Sequence, residues 1–149
     1  MNSMPRDLHR PTIRIYQTPE LASEAVASLI LERIAAMPAL TLGLATGSTP
    51  RTVYRTLIGQ TETVSWRETR CFNLDEYTGL GRDHSASFAY YMRELFFDHV
   101  DVDVTRTHIP DGTASDLDAA AKAYEQMISN NGGIDLQLLG IGRNGPTHQ

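Results

Sequence analysis

The chain has 149 residues, of which 41% are hydrophobic and 21% are charged, and this composition excludes disordered, collagen-like and coiled-coil proteins. Thirteen Lys and Arg residues against 18 Asp and Glu residues give a formal net charge of −5, and the scattered basic residues argue against binding to nucleic acid or to an anionic membrane. The single cysteine, Cys71, excludes an intrachain disulfide and favours a reducing, cytoplasmic compartment.

The first eleven residues are predicted to form a flexible N-terminal arm. They contain two arginines but no hydrophobic stretch of the kind a signal peptide has. No apolar run in the chain approaches the ~18 residues of a membrane span. Because no linker, internal repeat or low-complexity stretch divides the remainder, residues 12–149 are predicted to form a single domain.

Strand and helix patterns alternate along this domain. Alternating apolar and polar residues at 12–16 predict a strand, and the cap, proline and acidic residue at 18–20 predict the start of a helix that ends near 37–38. A nearly continuous apolar run at 40–44 predicts a strand covered on both faces. A turn follows at 45–50, and its last residues are expected to cap a helix through 53–58. Further helices are predicted at 85–97 and 115–128, and further strands at 70–74, 107–110 and 134–139.

This alternation predicts an α/β fold. We expect a Rossmann-like, mainly parallel sheet with right-handed connections and helices on both faces. Ligands of such folds bind at the carboxyl ends of the strands. Three predicted strand ends carry residues suited to binding or chemistry.

The first strand end is the turn at 45–50. A glycine-containing turn between a strand and a helix leaves backbone N–H groups and the positive end of the helix dipole facing outward, with the hydroxyls of Ser48 and Thr49 beside them. This arrangement binds phosphate, although the P-loop lysine and the dinucleotide-binding glycine pattern are both missing. An ordinary capped helix start explains the same residues, so both interpretations remain open.

The second strand end carries two adjacent carboxylates, Asp75 and Glu76. Carboxylates that leave a buried strand are costly to desolvate unless they are used or hydrogen-bonded, and one of them could act as a general base. Adjacent residues of an extended chain point to opposite sides, so only Asp75 is expected to face a ligand. The alternative is that one carboxylate caps a turn or pairs with Arg51 or Arg82.

The third strand end is the glycine-rich segment at 140–145. Its glycines permit close approach of the backbone to a ligand, and Asn144 offers a hydrogen-bonding amide, although such loops are also common turns. No metal site is predicted, because His84, His99 and His108 lack partners at the spacing of metal ligands.

Four segments together resemble the glucosamine-6-phosphate deaminase family, and their order and spacing match over nearly all of the chain. They are residues 42–50, 72–80, 87–88 with 96–100, and 140–145. The related phosphogluconolactonases, the alternative hydrolase assignment, share the glycine-rich turn, but their second motif has arginine at the position of Tyr77. The resemblance implies that glucosamine 6-phosphate and water become fructose 6-phosphate and ammonium, an aldose–ketose isomerisation coupled to deamination that needs no cofactor.

The resemblance also implies roles for individual residues. The substrate phosphate would lie on the turn formed by Thr46, Gly47, Ser48 and Thr49. Asp75 would be the base that moves a proton between C2 and C1 of the sugar, with Glu76 and Tyr77 as supporting residues. Asn144 matches a position that assists opening of the sugar ring.

The sequence departs from the family pattern after Asn144. Members of the family continue with Gly-His and then Phe-Asn-Glu-Pro, and the histidine is the acid/base of ring opening, whereas Pro146 stands at that position here. Roughly the C-terminal half of the family's length follows this point, with its phosphate-binding lysine and arginine. We therefore expect a domain truncated before its C-terminal half and severely impaired catalysis.

Three functional hypotheses follow from the resemblance and the departure: an impaired deaminase, a non-catalytic sugar-phosphate-binding or interaction module, and an inactive truncated product. The expected partner is a small amino-sugar phosphate. The last predicted strand has no following helix to cover it, so we also expect an exposed apolar edge and self-association, and a homo-oligomer stays open.

Overall fold

The computed structural model describes residues 10–141, and in this part of the chain four parallel strands form one sheet. The sheet order is β3-β2-β1-β4, and each neighbouring pair is parallel. This confirms the predicted α/β fold. The elements are α1 (Pro19–Ala36), β1 (Thr41–Leu44), α2 (Ser48–Ile58), β2 (Arg70–Asn73), α3 (Phe88–Leu95), two 3₁₀ turns (Phe97–His99 and Val104–Arg106), β3 (Thr107–His108), α4 (Leu117–Asn130) and β4 (Leu136–Gln137).

The order of the strands reverses at β1. The chain moves outward from β1 through β2 to β3, and α4 then carries it back to β4 on the other side of β1. Because such crossovers are right-handed, α2 and α3 lie on one face of the sheet and α4 lies on the other. The carboxyl end of β1 is therefore the switch point at which open α/β sheets bind their ligands.

The main core lies between the sheet and the layer of α1, α2 and α3. All four residues of β1 are buried, which confirms the prediction of a strand covered on both faces. The largest fully buried side chains of the core include Trp66, Tyr54 and Phe96, and the ring of Phe96 stacks on that of Tyr54 at 5.0 Å. The aromatic residues thus anchor α2 and α3 to each other and to the sheet.

The opposite face is held largely by one aromatic cluster. The ring of Phe72 stacks on His108 at 4.7 Å and meets the ring of Tyr124 edge-on at 5.9 Å. Helix α4 has no fully buried residue. The hydroxyl of Tyr124 donates to the carbonyl oxygen of Asn73 at 2.5 Å and also lies 3.0 Å from that of His108, so it joins α4 to the ends of β2 and β3.

The predicted start and end of the first helix are confirmed. The hydroxyl of Thr18 accepts a hydrogen bond from the backbone N–H of Leu21 at 3.2 Å, and Pro19 occupies the first helical position. The helix ends at Ala36, before the 37–38 pair that is predicted to stop it.

No helix within residues 10–141 has the length and apolar character needed to cross a membrane.

The predicted strand at 12–16 is wrong. This segment pairs with no strand among the described residues, and Ile13 and Ile15 are 79% and 91% exposed. Alternation of apolar and polar residues indicates an extended chain, but a strand also needs a neighbour for its backbone hydrogen bonds. The predicted flexible arm lies almost wholly outside the described residues.

Several other boundaries also differ from the prediction: β2 and β3 end before 74 and 110, and α4 runs over Leu117–Asn130 rather than 115–128. Helix α3 begins at Phe88 rather than at 85, because Ser87 is its cap and accepts a hydrogen bond from the N–H of Tyr90 at 3.0 Å. Ser48 and Thr49 do not cap α2 but form its first turn, and Gly47 is the cap. Strand β4 is shorter than the predicted 134–139, although backbone hydrogen bonds to β1 continue one residue beyond each end.

Candidate functional site

The first two candidate segments leave the same edge of the sheet. Strands β1 and β2 are parallel neighbours, and Leu44 and Asn73 form their last register pair. The turn that begins at 45 and the acidic segment that begins at 74 therefore start about 4.8 Å apart, the spacing of neighbouring strands. The two segments begin 29 residues apart in the sequence, and the sheet brings them together at the switch point.

The turn after β1 exposes the start of α2. Gly47 has a φ of 123°, a backbone conformation that glycine adopts far more readily than other residues, and it directs the chain into the helix. Gly47, Ser48 and Thr49 are exposed, and Thr46 is half-buried. No side chain within residues 10–141 caps this helix start. Its first N–H groups therefore face solvent, where they can bind an anion.

Two tyrosines hold this turn in place. The hydroxyl of Tyr54 donates to the carbonyl oxygen of Ala45 and accepts from its N–H, and the hydroxyl of Tyr91 donates to the carbonyl oxygen of Gly47 at 2.5 Å. Burial raises the pKa of both phenols, although the guanidinium of Arg51 opposes the rise at Tyr91. Both hydroxyls therefore remain protonated donors near neutral pH. Sequence analysis missed this role, because both tyrosines fit an apolar helical face.

Asp75 combines an exposed position with a shifted pKa. The residue is accessible to solvent, but neighbouring groups partly desolvate its carboxyl. This desolvation raises the pKa of Asp75, and the negative charge of Glu76 raises it further, against a lowering by a backbone hydrogen bond. A carboxylate whose pKa is raised toward neutral pH is a stronger base, so the direction of the shift suits proton abstraction.

Glu76 caps the start of α3. Its carboxylate accepts hydrogen bonds from the backbone N–H groups of Phe88 at 2.8 Å and Ala89 at 3.0 Å, and also from that of Tyr77 at 2.8 Å. A negative charge is favourable at a helix N-terminus. Glu76 is therefore the carboxylate of the acidic pair that acts as a cap. No ion pair joins it to Arg51 or Arg82 in the described part of the chain.

The loop that follows Glu76 is held against the loop after β3. The N–H of Gly79 donates to the carbonyl oxygen of Gly112 at 2.8 Å. The backbones approach so closely that a Cβ atom on Gly112 would overlap the carbonyl oxygen of Tyr77. The ring of Tyr77 lies 4.5 Å from that of Phe88. Tyr77 thus packs against the start of α3, and the loop that carries Asp75 is fixed at two places.

The third candidate segment begins beside the first. The backbone at Gly140 lies so near the first turn of α2 that a Cβ atom there would contact Pro50 at 3.6 Å. This chain segment follows β4, which pairs with β1 on the side opposite β2. Asn144 lies outside the described residues, so its place in the site stays a prediction.

Two of the histidines that the structure describes make local hydrogen bonds. His84 accepts a hydrogen bond from the N–H of Ala86 at 3.0 Å, and Nε2 of His99 lies 2.7 Å from the carbonyl oxygen of Glu94. Burial lowers the pKa of His108, and the charges of two arginines lower it further. Within residues 10–141, no three His, Cys, Asp or Glu side chains come together in a way that could hold a metal ion.

The chain is similar to a known protein family and to known sequences. A family model described as glucosamine-6-phosphate isomerases/6-phosphogluconolactonase matches residues 17–148. Glucosamine-6-phosphate deaminases from Rhodopirellula baltica and Shouchella clausii are 47% and 46% identical over 135 and 128 residues. These alignments cover 89% and 85% of this chain but 54% and 52% of the relatives. The chain thus spans about half the length of the curated relatives it matches.

Solved structures also superpose on the chain. A monomeric glucosamine-6-phosphate deaminase superposes with a TM-score of 0.84 and 45% identity, over 88% of this chain and 55% of its own. A 6-phosphogluconolactonase from Thermotoga maritima superposes with a TM-score of 0.69 and 22% identity, over 83% of this chain and 56% of its own. The second likeness shows a shared fold only.

Proposed function

The chain belongs to the family of glucosamine-6-phosphate isomerases and 6-phosphogluconolactonases, and on this premise we propose that it binds glucosamine 6-phosphate and supplies the base for its deamination. The observation that carries the proposal is that β1 and β2 are parallel neighbours, so a helix start without a side-chain cap and Asp75, whose pKa is raised, follow adjacent strand ends. The deaminase relatives, at 46% to 47% identity, favour an amino-sugar phosphate over a phosphogluconolactone.

The phosphate of the substrate binds at the first turn of α2. Backbone N–H groups of Gly47, Ser48 and Thr49 donate to its oxygens, and the helix dipole favours its negative charge. The hydroxyls of Ser48 and Thr49 add donors, and Arg51 adds a positive charge one turn into the helix. Because Tyr54 and Tyr91 hold the turn, the phosphate anchors the sugar in one position.

Asp75 then catalyses the isomerisation of the open-chain sugar. Its carboxylate removes the proton from C2, and the electron pair of that C–H bond forms the C1–C2 double bond of an enolamine, while the C1 carbonyl oxygen takes up a proton. Asp75 returns its proton to C1, which leaves an imine at C2. Water adds to the imine, and ammonia leaves, so the products are fructose 6-phosphate and ammonium.

Ring opening is the step for which the chain is least equipped. By resemblance, Asn144 assists it, but Pro146 stands where the family has its acid/base histidine. The chain therefore draws on the small open-chain fraction of the sugar in solution, and deamination is slow. We place this reaction in amino-sugar catabolism in the cytoplasm, which the single cysteine supports.

Glucosamine 6-phosphate is expected to raise the Tm of the 149-residue chain. A ligand at about 100 times its Kd stabilises the native state by about 2.7 kcal/mol, which is a shift of several degrees. Ser48→Asp is expected to abolish the shift, because the new carboxylate repels the phosphate yet suits the N-terminus of α2 and leaves the free chain stable. Scanning fluorimetry measures both effects, with Ser28→Asp on exposed α1 surface as the control.

Two outcomes would overturn this proposal. One is a wild-type Tm that millimolar glucosamine 6-phosphate does not change, or changes equally in Ser48→Asp. The other is a larger shift with 6-phosphogluconate, which would favour the lactonase assignment. A shift with glucosamine 6-phosphate but no exchange of its C2 hydrogen would support the binding module and overturn the catalytic role of Asp75.

A further inference from the structure

The hydroxyl of Tyr91 joins α3 to the turn that precedes α2. It donates a hydrogen bond to the carbonyl oxygen of Gly47, 44 residues earlier in the chain. Within residues 10–141, no other side chain of α3 makes a hydrogen bond to this turn. One phenolic oxygen therefore provides the polar contact between the helix and the turn.

This hydrogen bond fixes a peptide group that glycine would leave free to rotate. Gly47 has a φ of 123° and a ψ of −174°, a combination that is essentially confined to glycine. The ψ angle of Gly47 sets the direction of the peptide group that joins it to Ser48, and a residue without a side chain has many values of ψ open to it. A donor on the Gly47 carbonyl oxygen selects one of these values.

The peptide group between Gly47 and Ser48 carries the first N–H of α2. Because a peptide group is planar and trans, its C=O and N–H bonds point in opposite directions. The carbonyl of Gly47 points at Tyr91, so the N–H of Ser48 points away from it. This N–H has no acceptor within the helix. A hydrogen bond to the carbonyl also polarises the peptide group and makes its N–H a better donor.

Tyr91 is itself held in place before any ligand binds. Its ring meets that of Tyr54 edge-on at 6.4 Å, and the guanidinium of Arg51 lies 5.9 Å from the ring centroid. Helix α3 begins three residues earlier and is capped by Ser87 and Glu76. Burial raises the pKa of the Tyr91 phenol more than the guanidinium lowers it, so the hydroxyl keeps its proton near neutral pH.

We propose that Tyr91 is a positioning residue for the anion, and that its hydroxyl orients the N–H of Ser48 toward the phosphate of the bound sugar. The identity of this ligand rests on the proposed function, whereas the orientation of the N–H is a property of the free chain. Tyr54 has a different role, because its hydroxyl bonds to Ala45 and not to the peptide group that carries the donor.

The Tyr91→Phe variant tests this role. It removes the hydroxyl but keeps the ring and its contacts with Tyr54 and Arg51, so the fold is expected to persist. The Kd values for glucosamine 6-phosphate and for inorganic phosphate are each expected to rise about 5-fold, the effect of one hydrogen bond. Amide NMR titration of the 149-residue chain measures both values.

Tyr90→Phe is the matched control. It removes a hydroxyl from the neighbouring residue of the same helix, and this hydroxyl makes no hydrogen bond within residues 10–141. Both Kd values are expected to equal those of wild type. A role of Tyr91 in packing alone would lower the Tm of Tyr91→Phe but would leave its two Kd values unchanged.

The free chain provides a second measurement. The amide nitrogen signal of Ser48 is expected to move in Tyr91→Phe, because loss of the hydrogen bond at the Gly47 carbonyl changes the polarisation of that peptide group. The signal is expected to stay in place in Tyr90→Phe.

Unchanged Kd values in Tyr91→Phe overturn the inference, and so does an equal rise in Tyr90→Phe or a Ser48 signal that does not move. If the wild-type chain binds neither anion, the proposed function fails, and the Ser48 signal of the free chain still decides whether Tyr91 orients the N–H. Binding of inorganic phosphate alone, weakened in Tyr91→Phe, would end the functional proposal and support the role of Tyr91.

Discussion

Asp75→Asn is expected to slow the exchange of the C2 hydrogen of glucosamine 6-phosphate with solvent deuterium by about 10²–10⁴-fold, the contribution of a positioned general base. The amide has the shape of the carboxylate but cannot accept the proton. Proton NMR in deuterated buffer measures the loss of the C2 signal against time. Glucosamine 6-phosphate is expected to raise the Tm of the variant as it does that of wild type, because the phosphate turn is untouched.

The control for this variant is Asp98→Asn, an exposed carboxylate on the 3₁₀ turn after α3. Its exchange rate should equal that of wild type. The wild-type rate should fall on acidification as Asp75 takes up its proton, and the fall should be centred above the ordinary pKa of 3.8, because desolvation and Glu76 raise the pKa of this group. Exchange at the wild-type rate in Asp75→Asn would contradict the assignment of the base.

Glu76→Ala is expected to lower the free energy of unfolding by about 3 kcal/mol. The substitution leaves three backbone N–H groups without their carboxylate acceptor, and hydrogen bonds to a charged group contribute about 1.5–3 kcal/mol each, less where water replaces them. It also removes a negative charge from the N-terminus of α3. Urea denaturation followed by circular dichroism measures the change.

Two variants serve as comparisons for the stability of Glu76→Ala. Glu76→Gln keeps one carbonyl acceptor without the charge, so roughly half of the loss is expected. Glu94→Ala removes an exposed glutamate from the same helix and should change the stability by less than about 0.5 kcal/mol. If Glu76→Ala were as mild as Glu94→Ala, the carboxylate would not hold the loop of Asp75, and its positioning would need another explanation.

The parts of the fold that could be predicted from sequence depend on interactions and patterns within a few neighbouring residues. The start of α1 needs only a threonine cap, a proline and an acidic residue within three positions, and these do cap it. The apolar run at 40–44 directly indicates a strand buried on both faces, as β1 is. The strand at 12–16 failed because pairing depends on a neighbour elsewhere in the chain, which a local pattern does not contain.

The parts that sequence could not predict depend on distant contacts. The acidic pair was visible as a candidate site, but the role of Glu76 depends on N–H groups 12 and 13 residues away. The hydroxyl of Tyr91 reaches a carbonyl oxygen 44 residues earlier in the chain. Gly43 needs glycine because the side chain of Gln137 occupies the space of its Cβ atom, and this follows only from the pairing of β1 with β4.

Under the proposed function, the start of α2 and Asp75 belong to one sugar-phosphate site. Titration of the isotope-labelled chain with glucosamine 6-phosphate, followed by amide NMR, tests it most directly, with inorganic phosphate as the comparison. We expect the sugar phosphate to shift the amide signals of Gly47, Ser48, Thr49 and Asp75 with a single Kd, whereas inorganic phosphate shifts only the first three. Signals of the turn and of Asp75 that respond with different Kd values, or an Asp75 signal that does not respond, would contradict it.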